Sequence, residues 1–223
     1  MPEPGEANLG LRERKKQWTR ATLIDAAVQL CDRQGFERTT VDQIAAFADV
    51  SPRTFSRYFA TKDAVVLASV DEVVEFVAAE LARQPADISH LEALYRATVA
   101  AFNSTKDGSP GGVTADRLVA AARIVNSSQA LKQAVLEYRP DATMTELAKR
   151  MGVNQDDSRL RLLSSVWCVI LLTASGDLGE NTDGEGFTVD GLISRLTATY
   201  AQFAQLMADI GDPLLPSSNP PQA

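Results

Sequence analysis

Cysteine and histidine are nearly missing from this sequence: Cys31, Cys168 and His90 are all it holds. Two thiols far apart, each inside an apolar helical pattern, make no disulfide framework, and one histidine cannot complete a metal-ligand cluster. Both cysteines are read as apolar fillers, and neither metal nor cofactor is expected. His90, near a helix start, is read as a surface residue, because nothing groups it with a nucleophile and an orienting acid. Long hydrophobic runs are missing too. The densest, Leu160 to Leu172, is interrupted by Arg161, Ser164 and Ser165 and is too short to span a bilayer. No apolar run follows the basic residues near the N-terminus, so no secretory signal is read and a cytoplasmic protein without a membrane partner is expected. No segment alternates as a strand should, and no internal repeat, phosphate-binding glycine loop or paired-carboxylate motif is found.

What remains is ordinary in bulk and uneven in distribution. Apolar residues make up 45% and charged residues 23%, which argues for a folded chain rather than a disordered one. The net charge of −7 is wrong for a protein that docks on phosphate until it is divided. Residues 1–62 carry a net +2 and residues 63–223 a net −9. A basic module on an acidic body is the informative feature, because local field guides docking more than total charge does.

The apolar spacing predicts about nine helices and an all-α fold. A disordered basic arm over 1–18, with Arg12, Arg14, Lys15 and Lys16 in one run, precedes a first helix over 19–34 that stops at Gly35. The basic run is read as either a solvated terminus or an arm that tracks phosphate or a minor groove. Thr39-Thr40 offers caps for a helix over 41–48, and Ser51 caps a third with Pro52 at its first position. Thr61 caps a longer helix to residue 83, with Val66, Val70, Val73, Val77 and Leu81 on one face. Further helices are predicted over 88–103, 114–125, 129–151 (bent or split at Pro140), 156–178 and 189–210. Loops are read at 107–112 and 179–186, and a disordered tail over 212–223. The domains are therefore a three-helix unit over 19–62 and a helical body over 63–211.

The window from Thr39 to Asp63, TTVDQIAAFADVSPRTFSRYFATKD, carries the function. Ile44, Val50, Phe55 and Phe59 are spaced to pack two short helices against the first, with Ala45 at their close crossing. That leaves Ser51, Arg53, Thr54, Ser56 and Arg57 outward, the hydroxyls and guanidinium groups that a major-groove helix needs. In order, Gly-Phe, Thr-Thr-Val, Ile-Ala, Val-Ser, Thr-Phe, Tyr-Phe and Thr-Lys resemble the TetR family of bacterial transcriptional regulators. The resemblance covers the N-terminal third. It implies a helix-turn-helix domain followed by a helical ligand-binding and dimerisation domain. It also implies Thr40, Tyr58 and Lys62 as backbone contacts to double-stranded DNA, with Ser51 beside them. Arg53, Thr54 and Arg57 are the candidates for reading bases. The sequence departs from the family at Asp49, where Gly is usual, and at Ser56 and Arg57, where an aromatic is favoured.

The same resemblance implies a homodimer on a near-palindromic operator, acting as a repressor released by a small molecule. The apolar body suggests a hydrophobic or amphipathic ligand, and the resemblance suggests a fatty acyl derivative. Tyr95, Phe102, Tyr138 and Trp167 are candidates to line its pocket, with Arg123 to anchor an anionic group. Each has an ordinary alternative in the core, the interface or an ion pair. The apolar run Leu160–Leu172 and the stripe Leu192, Leu196, Tyr200, Phe203, Met207 and Ile210 are read as the dimer face. The rival readings are an all-helical enzyme, or a protein-interaction module, with an accessory helix-turn-helix; no converging catalytic set favours the first, and no enzymatic activity is expected.

Overall fold

Hydroxyl side chains start most of the helices. Thr40, Ser51, Thr61, Ser89, Thr114 and Ser128 each accept a hydrogen bond from the backbone N–H three residues on, which satisfies one of the orphan donors of a first turn. A computed structural model of the chain describes residues 10–107, 113–176 and 188–211. Among them are eleven α-helices, one 3-10 turn and no strand. The helices are α1 (Leu11–Gln34), α2 (Val41–Phe47), α3 (Pro52–Tyr58), α4 (Lys62–Leu67), α5 (Asp71–Arg83) and α6 (His90–Ser104). Then come α7 (Ala115–Asn126), α8 (Gln129–Glu137), α9 (Asp141–Met151), α10 (Ser158–Ala174) and α11 (Val189–Gly211). Residues 108–112 of the loop expected at 107–112, the loop expected at 179–186, the tail from 212, residues 1–9 and the end predicted for α10 at 178 lie outside the described residues.

Two expectations are corrected. The first helix begins at Leu11, not at residue 19, so the basic run is helical rather than an arm. Nothing between Leu11 and Gln17 breaks a helix: Arg, Glu, Lys and Gln are good helix formers, and Glu13 pairs with Lys16 at 3.7 Å. The long helix expected over 61–83 is broken by a 3-10 turn at Ala68–Val70. Val70 leaves helical geometry (φ −108°, ψ 1°), and the next residue, Asp71, is held from outside by Arg20 and Tyr138. Of the two outcomes offered at Pro140 the split is found: 129–151 is two helices, because Pro140 cannot donate and disfavours helical geometry at the residue before it. These breaks raise the count from nine to eleven.

Two apolar cores meet along α7. The smaller contains Leu23, Ala27, Ile44, Ala45, Phe55, Phe59, Val65 and Val66, and it also takes in Ala120 and Ile124 of α7 and Leu131 of α8. The larger is built from α5, α6, α9, α10 and α11 around Leu81, Leu94, Leu147, Leu160 and Leu196, with Leu118 and Val119 of α7. Consecutive residues of α7 thus belong to different cores, which makes that helix the wall between the N-terminal unit and the body. Among the described residues, no helix is long and apolar enough to cross a membrane.

The stripe read along α11 divides. Leu192 and Leu196 are buried in the larger core, so they do not face outward; the side chain of Ile210 lies outside the description. Further along, Leu206 and Met207 are 61% and 43% exposed, and on α10 Leu162 and Val169 are 66% and 51% exposed. Among the described residues, four of the seven large apolar side chains that stand exposed are therefore on the last two helices.

Candidate nucleic-acid interface

The turn between α2 and α3 aims the recognition surface. Asp49 N–H donates to Ala46 O (3.1 Å) and Val50 N–H to Ala45 O (2.9 Å), with Asp49 left-handed at φ 53°. This paired closure terminates α2 in two residues and is ordinarily made by glycine; Asp tolerates it better than most side chains. The reading of Asp49 as a substitute for glycine holds. With α2 stopped there, Ile44, Ala45 and Phe55 are almost completely buried, and Phe55 and Phe59 lie 5.8 Å apart, ring to ring.

That packing sets what faces out. Ser51, Arg53, Ser56 and Arg57 are exposed and Thr54 is half-buried. Ser51 Oγ caps α3 by accepting from Thr54 N–H at 3.1 Å and lies 2.9 Å from Thr54 Oγ1, while Ser56 Oγ donates to Pro52 O. Arg53 makes no hydrogen bond to any described residue, so its five donors are open to a ligand. Arg57 instead lies over the neighbouring Tyr58 ring, 5.1 Å from its centre, which holds both side chains in place. At the start of α2, Thr40 and Gln43 cap each other reciprocally: Gln43 N–H donates to Thr40 Oγ1 (3.2 Å) and Thr40 N–H to Gln43 Oε1 (2.9 Å). The Thr40 hydroxyl is exposed and can still donate its own proton.

Lys62 stands differently from its expected place among the phosphate contacts. Its Nζ donates to Phe36 O at 2.7 Å and Thr39 O at 2.9 Å, and lies 3.9 Å from the centre of the Phe36 ring. The ammonium ties the start of α4 to the α1–α2 corner. Its charge is engaged within the protein.

A sequence profile described as "Bacterial regulatory proteins, tetR family" matches residues 23–69. The HTH-type transcriptional regulator TcmR of Streptomyces glaucescens is 35% identical over 189 residues, covering 81% of this chain and 82% of that one. The chain belongs to the TetR family of bacterial transcriptional regulators. The HTH-type transcriptional regulator BetI of Burkholderia thailandensis is 36% identical over 104 residues, 46% of this chain and 51% of that one. The crystal structure of Thermus thermophilus FadR, a TetR-family repressor in complex with lauroyl-CoA, is similar at a TM-score of 0.49 and 21% identity, over 91% of this chain and 100% of that one.

In this TetR-family chain the helix-turn-helix is bound to the body by polar contacts that the sequence did not disclose. Asp71, where α5 begins, accepts from Arg20 Nη2 of α1 and from Tyr138 Oη beyond α8, both at 2.6 Å. The Arg20 guanidinium also lies 5.4 Å from the centre of the Phe59 ring, which closes α3. Arg139, next to Tyr138, reaches Ser165 Oγ of α10 at 2.8 Å. Along the α7 side, Arg117 pairs with Asp25 (3.3 Å), Arg123 with Asp32 (2.8 Å), and Ser128 Oγ donates to Glu37 (2.6 Å).

The expected ligand residues therefore separate. Arg123 is an ion-pair partner of α1 and Tyr138 a hydrogen-bond donor to Asp71; both are occupied at the seam between the units. Tyr95 and Trp167 come together instead, around Tyr200, which was expected on the dimer stripe and which packs against the larger core. Tyr200 stacks on Tyr95 (4.6 Å, 3° between planes) and meets Trp167 edge-on at 6.4 Å. Burial, then a hydrogen bond to Glu92, pushes the Tyr200 hydroxyl up to about 12. Phe102 is buried in the same core. A separate open groove of about 410 Å³ lies between α5 and α9, lined by Ala78, Ala79, Ala82, Ala142, Thr145 and two carboxylates, Asp141 and Glu146, and by none of the predicted residues. Arg20, three residues before the buried Leu23, was not singled out from the sequence; a cation in register with an apolar face was the signal that pointed to it.

Proposed function

We propose that the chain is a ligand-released repressor that binds a near-palindromic operator as a homodimer. The observation that carries this reading is α3. Its inward positions are filled by Phe55, with Phe59 behind it, while Arg53 projects from the first turn with no hydrogen-bond partner among the described residues. The first turn of a recognition helix is the part that reaches base edges. Arg53 and Thr54, with Arg57 beyond them, are assigned to bases; Thr40, Ser51 and Tyr58 are assigned to phosphate. Lys62 is assigned a positioning role. The exposed apolar residues of α10 and α11 supply the dimer face, and two recognition helices about 34–36 Å apart would then meet successive major grooves. Selection of bound sequences from a random-duplex pool tests the reading: enrichment of an inverted repeat is expected, and no enrichment refutes it.

The ligand is assigned to the larger core near Phe102, Tyr95 and Trp167, as a hydrophobic or amphipathic small molecule. Entry there would press on α7, whose other face belongs to the helix-turn-helix core, so binding favours one setting of the reading heads over another without contact to DNA. A panel of acyl and aromatic compounds, read by thermal stability and operator affinity, tests this; a compound that raises stability and lowers operator affinity is expected.

A further inference from the structure

The front of α1 outruns the body that buries the rest of it. Among its described side chains Thr19 is the first that is buried; ahead of it Arg12, Arg14, Lys15, Lys16 and Trp18 are all exposed. Leu11 to Trp18 is eight residues, about 12 Å of helix at 1.5 Å each. The stub has four cations within five positions and one acid, Glu13, already paired with Lys16. Trp18 is 66% exposed, whereas the chain's other tryptophan, Trp167, is 6% exposed. At helical spacing, Arg14, Lys15 and Trp18 share the face turned away from the core. Arg12 and Lys16 align with Arg20, whose guanidinium rests on Phe59 at the end of the recognition helix. The stub thus starts beside α3 and leads away from it.

Resting on the DNA-binding reading above, we propose that this stub is a second DNA-contact surface, lying along the phosphates that flank each half-site with Trp18 packed against the sugar–phosphate wall. Charge complementarity selects the partner: the cations gather at one end of a chain whose net charge is −7, and duplex DNA is the polyanion that α3 already addresses. One indole among cations offers too little apolar surface for a membrane-surface helix, which needs a continuous apolar face. Contacts of this kind add affinity and salt dependence and carry no sequence information.

The test uses the full chain with Trp167→Phe, so that Trp18 is the one tryptophan left and is excited selectively over the tyrosines, and a second protein with Arg12, Arg14, Lys15 and Lys16 all changed to Gln. Trp18 emission is expected to shift on an operator carrying ten-base-pair flanks and not on the bare operator. The Gln variant is expected to keep its base preference and its circular dichroism, and to lose roughly 0.9 of salt slope for each phosphate contact removed, about two to four per protomer. An unchanged slope, or Trp18 emission that ignores flanked duplex but responds to phosphatidylglycerol vesicles, overturns the proposal while leaving operator binding intact. If the unsubstituted chain selects no duplex at all, the DNA-binding reading falls first and the stub with it.

Discussion

Tyr138→Phe is the smallest change that should loosen the reading head from the body. It removes one oxygen, the donor to Asp71 at 2.6 Å, and leaves the ring in place. A hydrogen bond to a charged group contributes about 1.5–3 kcal/mol when its removal leaves a buried partner bare. Asp71 is not left bare: its side chain is 30% exposed and keeps Arg20 on the other oxygen. The expected loss is therefore near 1 kcal/mol, below the range for a buried acceptor. Arg20→Gln should cost less, about 0.5 kcal/mol, because a 43% exposed guanidinium is largely resolvated. Since both bonds share one carboxylate, the double variant should depart from additivity by about 0.5 kcal/mol or more in urea unfolding.

The same hydroxyl gives a pH signature. Burial, and then the hydrogen bond and negative charge of Asp71, raise the Tyr138 hydroxyl well above its ordinary 10. A group raised in the folded state contributes stability that is complete below the unfolded value and is lost as pH rises toward the folded one. The unsubstituted protein should therefore lose stability above pH ~10 with a component that Tyr138→Phe abolishes. If the single variants are strictly additive and the alkaline decline is unchanged in Tyr138→Phe, Asp71 is not the pin inferred here.

Four further outcomes are expected. Arg53→Ala should cost about 1–3 kcal/mol per half-site and relax preference at one base pair, read by competition against operators varied one pair at a time; an unaltered profile means that Arg53 does not read a base. Asp49→Gly should stabilise the chain by up to ~1 kcal/mol in urea, because glycine occupies φ 53° without strain, and it should also tighten operator binding by removing a negative charge beside α3. Leu162→Glu with Leu206→Glu places two charges on side chains that are 66% and 61% exposed; sedimentation should show a dimer before and a 24.0 kDa monomer after. Lys62→Ala should lower stability by about 1–2 kcal/mol through loss of the bonds to Phe36 O and Thr39 O, with the salt slope of DNA binding unchanged.

What could be read from the sequence is what short-range physics decides. The caps at Thr40 and Ser51, the left-handed Asp49 and the inward set Ile44, Ala45, Phe55 and Phe59 all lie within one 20-residue stretch and depend only on their neighbours. The break at Ala68–Val70 does not. It is fixed where Asp71 meets Arg20, 51 residues earlier, and Tyr138, 67 residues later, so a continuous run of valines at helical spacing gave no hint of it. Arg123 shows the same limit from the other side. A cation in an apolar helix signals that some anion is near, but whether that anion is a ligand or Asp32, 91 residues away, is a tertiary fact. Tyr95 and Trp167 were recognisable as apolar bulk, while their common neighbour Tyr200 sits 105 positions from the first and 33 from the second, on another helix.

Charge shows why such tertiary facts matter to function. The N-terminal unit holds almost as many acids as bases, and its net +2 is a feeble attraction for a polyanion. The fold sorts them. Asp25, Asp32 and Glu37 face Arg117, Arg123 and Ser128 of the body, and Glu13 answers Lys16. Arg53, Arg57, Arg12, Arg14 and Lys15 are left exposed on the unit's other sides. Three of the acids that weaken the count hold the reading head to the body, so the field offered to DNA depends on which charges the seam consumes and not on their sum alone.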